Sequence, residues 1–345
     1  MEFARENRPP ADHRRNPANP VQKKNGRVIM LKILLALLFL YLLYHYRWLQ
    51  FSPLVRIVEE PLVLGLLILL AWLTFPLCAI RWQRLLDIQK IHMSFTTVFR
   101  ALYLSTFIGL FLPGSVGGDV VRFLVGSQHS GERKMELGLS VVMDRVLGLF
   151  GLFGVGLIFC LCYLTKIWNH PTLRDTALLL TTVFLCLLTA VILIGLCSDR
   201  IRQKQSGIDS TPKGYLAGLF LKGVTSIGAF RQHTGTLMKG WVLSLVVHAK
   251  NVAIIVILAK MVDIGPLGIW EYGLAGTMTF FVNIIPLTPD GLGMGEASFS
   301  QVLNLLSPQS VAVAYATIFL MYRLIKVISL LPALLWLPGS LRKAA

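Results

Sequence analysis

Three observations predict an all-α, polytopic membrane helix bundle. The chain of 345 residues is 55% hydrophobic and only 14% charged, whereas charged residues alone make up about a quarter of a typical soluble domain. Several stretches reach the roughly 20 apolar residues that a bilayer crossing requires. Examples are VIMLKILLALLFLYLLYHY from Val28 and ALLLTTVFLCLLTAVILIGLC from Ala177. Two more stretches, 113–130 and 288–306, are apolar but interrupted by glycine and proline. The expected architecture is about 8 spanning helices plus two broken or re-entrant glycine-rich segments, arranged in two repeated halves.

Residues 1–27 combine proline, asparagine and basic side chains without an apolar pattern, which predicts a disordered basic tail. The apolar run that follows is too long for a signal-peptide core and has no small-residue cleavage site, so it is expected to stay as the first helix. Spanning helices are predicted at 28–46, 60–79, 95–112, 138–164, 176–197, 240–262, 269–287 and 311–337. Residues 28–337 form one transmembrane domain with repeat cores at 95–164 and 269–337, and 338–345 form a short tail. The longest internal connection, 198–239, carries Arg200, Arg202, Lys204, Lys213, Lys222, Arg231 and Lys239 against Asp199 and Asp209. Within it Leu216, Leu219, Phe220, Val224, Ile227 and Phe230 recur at helical spacing, which fits either a helix on the membrane surface or a linker helix.

The formal net charge of +16 is spread over the tail and the connections rather than gathered in one basic module. That distribution points to cytoplasmic anchoring and an anionic lipid surface, and away from nucleic acid. Lysine and arginine counts place the N-terminus, the connection with Arg81, Arg84 and Lys90, and the 198–239 loop in the cytoplasm, in a cytoplasmic (inner) membrane. Only three predicted spans separate the second and third of these, and an odd number cannot begin and end on one side. Crossing by 113–130 restores parity, and crossing by 288–306 brings Arg342 and Lys343 inside. In the alternative, both segments dip in and return. Under the first arrangement the two repeats are inverted, as in many transporters.

The two broken segments match each other. The first reads Gly114-Ser-Val-Gly-Gly118-Asp119 and the second Gly291-Leu-Gly-Met-Gly295-Glu296. Proline precedes each closely (Pro113; Pro286 and Pro289), and an arginine follows in the next apolar helix, Arg145 after Asp119 and Arg323 after Glu296. The acid-to-arginine spacing is nearly equal in the two halves. Gly148, Gly151, Gly154 and Gly156, by contrast, are assigned to close helix packing.

Charges at membrane depth need partners or a water-filled cavity. One expectation for Asp119, Asp144, Arg145, Glu296, Arg323 and Lys326 is mutual pairing that closes the bundle. The other starts from backbone amides exposed at a glycine break, which attract anions at the start of a half-helix. With Arg122 one turn after Asp119, and with Arg145 and Arg323 nearby, the set can grip a phosphate. Other chemistry is not indicated. PGSVGGD lacks the lysine and Ser/Thr of a P-loop, and His92, His129, His170, His233 and His248 have no metal-ligand spacing. Cys78, Cys160, Cys162, Cys186 and Cys197 fall in or beside apolar runs, so no disulfide framework, metal or cofactor is expected. No nucleophile with a nearby base is apparent.

FLPGSVGGDVVRFLVG with LGLSVVMDRVLGLFGL, and IIPLTPDGLGMGEASFSQVL with ATIFLMYRLIKVI, resemble the membrane region of lysylphosphatidylglycerol synthases and its stand-alone flippase-like relatives. The resemblance implies a flippase-like carrier of polar-head-group lipids, whether phospholipid, aminoacyl-phospholipid or polyprenyl-linked. It also implies that synthesis belongs to a separate soluble aminoacyl-transferase domain, for which the chain is expected to have no room, so enzymatic activity is not expected here. It points to Gly117, Gly118, Asp119, Arg122, Arg145, Gly291, Gly293, Gly295, Glu296 and Arg323; with Gly114, which opens the first matched break, these are the expected substrate-binding residues, and none is catalytic. Asp290 departs from the family's glycine. Two alternatives stay open: a polytopic transferase using a lipid-linked donor, with Asp119 or Glu296 as general base, and an accessory subunit of an envelope-lipid or glycan pathway. The expected partners are membrane lipids, with a second copy of the chain or a partner enzyme left open.

Overall fold

Apolar periodicity continues further along the chain than the runs of greasy residues suggest. Pro61 occupies the first turn of α1 (Pro61–Trp72), where its missing N–H costs nothing. The chain runs on through Leu73 into α2 (Thr74–Ile88), so one 28-residue stretch extends from Pro61 to Ile88. The predicted helix 60–79 therefore extends past Arg81 and Arg84, because Phe75, Ala79, Trp82 and Leu86 keep an apolar face at helical spacing. Arg81 is not in a connection but buried inside the helix. At the end of α2, Lys90 takes the left-handed φ of 57° while the Ile91 amide bonds the Leu86 carbonyl, which closes the helix.

A computed structural model describes Tyr41 and residues 57–110, 116–203, 228–230, 232–262, 267–285, 287–307 and 312–336. The predicted tail 1–27, the rest of the first helix, Gly114, residues 204–227 of the basic connection, and the C-terminal tail with Arg342 and Lys343 lie outside these residues. The described residues are helical and contain no strand.

Ser94 caps α3 (Phe95–Gly109) by accepting from the Thr97 amide, and α4 (Val116–Ser127) follows the first break. A Cβ placed on Gly118 would lie 2.6 Å from the Ser105 carbonyl oxygen, so only glycine lets α4 approach α3 this closely. Further along, Phe123 joins Val98 and Ala101 in one apolar cluster. The two helices thus run back along each other. Arg133, just after α4, bonds the carbonyls of Gln89 and Lys90, just before α3, at 3.2 and 3.3 Å. Both ends of this hairpin therefore meet on one side of the bundle. At 15 residues, α3 is about 22 Å long at 1.5 Å per residue, short of the roughly 30 Å hydrocarbon core. The predicted span 95–112 is one arm of a hairpin.

A second helical hairpin lies in the second half of the chain. α5 (Lys134–Cys162), the short α6 (Leu164–Asn169), α7 (Pro171–Gln203) and α8 (Thr234–Val262) lead to α9 (Ile269–Val282). A single 3-10 turn at Pro289–Gly291 then precedes α10 (Met294–Leu306), which packs along α9. The predicted span 269–287 is likewise only 14 residues of helix. α11 (Ala312–Leu330) continues into a 3-10 turn at Leu331–Trp336. The start of α9 touches the end of α5, where the Tyr163 hydroxyl donates to Glu271 and Phe159 packs on Gly273. The first hairpin enters beside the start of α5 and the second beside its end, so the two come from opposite ends of the bundle.

Five helices among the described residues are long and apolar enough to cross a membrane: Pro61–Ile88, Lys134–Cys162, Pro171–Leu193, Thr234–Val262 and Ala314–Ala333. α8 is central, packing on α1, α2, α5, α9 and α11. Small residues set its contact with α5. A Cβ on Gly151 would lie 2.3 Å from the Ser244 Cβ, and one on Gly154 would lie 2.6 Å from a Leu245 methyl. α7 is the outlier: of its stretch Pro171–Leu193 only Leu173, near the start, is buried, and an apolar groove of about 790 Å³ runs between it and α5, α8 and α9. Leu62, Leu124, Leu161, Leu179 and Leu193 are exposed on the outside of the bundle. That outward apolar surface is what a bilayer-embedded protein presents.

Candidate functional site

Two charged clusters lie at the tips of the two hairpins. In the first, α5 supplies consecutive residues, Asp144 and Arg145, which a helix turns about 100° apart. Asp144 points inward. Its Oδ1 accepts from Arg81 Nε at 2.6 Å and its Oδ2 from Arg122 Nη2 at 3.0 Å. Arg81 also donates to the Ser244 hydroxyl at 2.6 Å, tying α2, α5 and α8 together. Arg122 lies over the Trp82 ring, 4.2 Å from its centroid, and the Trp82 indole N–H donates to Ser140. The Arg122 Nε is buried with no hydrogen-bond partner among the described residues.

Arg145 points to α4. Its Nε and Nη2 both reach Asp119 at 2.9 Å, in the two-pronged geometry that suits guanidinium and carboxylate. Arg122, one turn on, is 3.7 Å from the same carboxylate. This outer pair is open: the Arg145 side chain is 48% exposed and that of Asp119 21%. Its neighbours Val120, Leu124 and Val142 are exposed apolar residues. Three guanidiniums face two carboxylates here, leaving the cluster one positive charge in excess.

The second cluster is built on left-handed backbone. Asp290 at φ 49°, Gly291 at φ 72° and Gly293 at φ 82° turn the chain sharply into α10. Glycine adopts this conformation freely, and aspartate tolerates it better than most residues. Glu296 folds back so that its Oε2 accepts the Gly293 amide at 2.7 Å, and its Oε1 accepts from Arg323 Nε at 2.7 Å. Arg323 also donates to the backbone carbonyls of Asp290 and Gly291. Lys326 grips Asp290 at 2.7 and 2.9 Å. Glu296 is fully buried and the Arg323 side chain is 8% exposed. A cavity of about 120 Å³ lies beside Asp290 and Lys326, walled by Phe280, Phe319 and Tyr322. A Cβ on Gly295 would lie 2.5 Å from the Phe319 ring, so this glycine admits Phe319 against the half-helix.

The structure brings together the residues that the sequence paired. Asp119 with Arg145 and Glu296 with Arg323, nearly equally spaced in the two halves, are both direct ion pairs. Gly118 and Gly295 are close-contact glycines, Gly291 and Gly293 are turn glycines, and Gly117 is half-buried beside Asp119. The Gly293 amide, one of those expected to attract an outside anion, is occupied by Glu296 of the same chain. Sequence reasoning missed Arg81, Trp82 and Ser244. The continued apolar face through Trp82 and Leu86 was the signal that Arg81 lies inside a helix. Among the described residues there is no group of His, Cys, Asp and Glu suited to a metal ion.

No curated protein and no solved structure matches the chain. The family model described as the lysylphosphatidylglycerol synthase TM region matches residues 29–333, which takes in every element described above except the last three residues of the final turn. With its apolar helices and paired hairpins, the chain is an integral membrane protein that belongs to the lysylphosphatidylglycerol synthase TM region family.

Proposed function

We propose that this protein moves lipids with polar head groups between the two faces of its membrane. The family suggests a role in lipid modification or transport, and one observation favours transport. The Asp119–Arg145 pair lies at the tip of a hairpin, half open, among the exposed apolar residues Val120, Leu124 and Val142. A head group can reach such a pair sideways while its acyl chains stay in the bilayer. The excess positive charge of the cluster favours a head group that carries phosphate. Hairpins entering from opposite ends suit alternating access, in which each serves one face.

The basic residues Lys90, Arg133, Lys134 and Lys239 gather at the end where the first hairpin enters. By the positive-inside rule we assign that end, and the N-terminus, to the cytoplasm of an inner membrane. The 113–130 segment then satisfies the charge rule without crossing, because α3 returns with it.

The test is leaflet exchange of labelled phospholipids, aminoacyl-phospholipids and polyprenyl-phosphate lipids in proteoliposomes. Wild type is expected to exchange one class, and Arg145→Ala to lose at least about tenfold of that rate, the equivalent of 1.4 kcal/mol. No exchange of any class by folded protein would sink the proposal and move the assignment to a transferase or an accessory subunit.

A further inference from the structure

The central helix α8 carries one more cation at membrane depth, and its partners are of another kind. Among the described residues, Arg81 and Arg122 hold Asp144, Arg145 holds Asp119, Arg323 holds Glu296 and Lys326 holds Asp290. Lys250 holds no acid among them. Its Nζ donates to the Thr74 hydroxyl at 2.7 Å and to the Asn251 side-chain oxygen at 2.8 Å. Because the ammonium supplies the proton in both bonds, the Thr74 O–H and the Asn251 NH₂ remain as donors. An ammonium, a hydroxyl and an amide therefore stand together as a cluster of donors without a counter-charge among the described residues. Such an arrangement is costly at this depth unless an anion completes it.

The position of the cluster is as informative as its chemistry. Thr74, Cys78 and Arg81 lie on one face of α2, and Ser244, His248 and Asn251 on one face of α8, both at i, i+4, i+7 spacing. The two helices run antiparallel: Arg81 meets Ser244, and Thr74 meets Lys250. Two polar rungs thus join α2 to α8, about 10 Å apart at 1.5 Å per residue. The first rung is tied to Asp144 and so to the hairpin cluster. His248 lies between the rungs, with its Nε2 on the Gly148 carbonyl and its Nδ1 buried with no partner among the described residues.

We propose that Lys250, Thr74 and Asn251 form a binding site for an oxyanion, the phosphate of a lipid head group, one step along α8 from the Arg81–Asp144 rung. Its place in transport rests on the function proposed above. Its ability to bind phosphate does not.

The test uses the full chain in detergent, with dihexanoyl phosphatidic acid as probe and dihexanoyl glycerol, which lacks the phosphate, as control. Binding is read by native mass spectrometry. Wild type is expected to retain the phosphatidic acid in preference to the control, with Lys250→Gln weakening it by about tenfold and Thr74→Val by a smaller factor, the scale of charged and neutral hydrogen bonds. Thr74→Val also guards against misfolding of the lysine variant, because it leaves the charge in place. Equal binding by wild type and both variants, or equal binding of probe and control, overturns the site. If Lys250-dependent binding stands while leaflet exchange fails for every lipid, the site survives and the transport proposal falls.

Discussion

The two hairpins carry the same parts and use them oppositely. In each, a carboxylate just after the glycine break meets an arginine from the following long helix. At the first tip that pair is half open, in a cluster that is positive in net charge. At the second, Glu296 and Arg323 are sealed, charge-balanced with Asp290 and Lys326, and shared with backbone groups. The difference comes from what else each carboxylate must do. Glu296 closes the start of α10 by accepting the Gly293 amide, so it is part of the fold. Asp119 lies further into α4 and is held by Arg145 and Arg122 alone among the described residues. Nearly equal spacing in sequence thus gives one pair sealed into the fold and one left half open.

This contrast can be broken at both ends. The largest expected effect is Glu296→Ala, which takes from the buried Arg323 its shorter carboxylate contact, leaving only Asp290 at 3.2 Å, and leaves α10 without its cap. A loss of about 3–5 kcal/mol is expected, read as a fall in Tm of the detergent-solubilised protein. Next is Gly118→Ala, whose Cβ meets the Ser105 carbonyl in the tight α3–α4 contact. Forcing those backbones apart is expected to cost about 1–3 kcal/mol, again as lower Tm, with lipid exchange reduced. Third, Asp290→Gly is expected to be milder than Asp290→Ala by about 1 kcal/mol, because both lose the Lys326 pair and only alanine keeps the left-handed strain. Smallest in stability is Arg145→Ala, under about 1 kcal/mol for a half-exposed pair, although the same change should abolish exchange. If Arg145→Ala lowered Tm as much as Glu296→Ala, the distinction between the two pairs would be lost.

Much of this was legible in the sequence. The membrane class follows from composition, and the two tips follow from matched proline, glycine, acid and distant arginine. The close-packing roles of Gly151 and Gly154 follow from small-residue spacing. The crossings were harder to read. α3 and α9 are as apolar as spans, and nothing in hydropathy says that each pairs with the short helix after its break. Arg81 was read as a loop residue because positive charge normally marks connections. Only its partner Asp144, 63 positions away, makes a buried arginine affordable there, and a pairing at that separation leaves no local trace. The departure at Asp290 was visible, but its reason, a left-handed turn answered by Lys326, needed the backbone.

The adjacency of Asp144 and Arg145 has a mechanical consequence. α4 grasps both through residues one turn apart, Arg122 on the first and Asp119 on the second. Two clasps on neighbouring positions fix rotation as well as distance, so α4 cannot roll against α5 without opening both. The first hairpin and α5 are therefore geared together. The far end of the same α5 carries Tyr163 and Phe159, which meet the start of the second hairpin, so one rigid helix touches both hairpins.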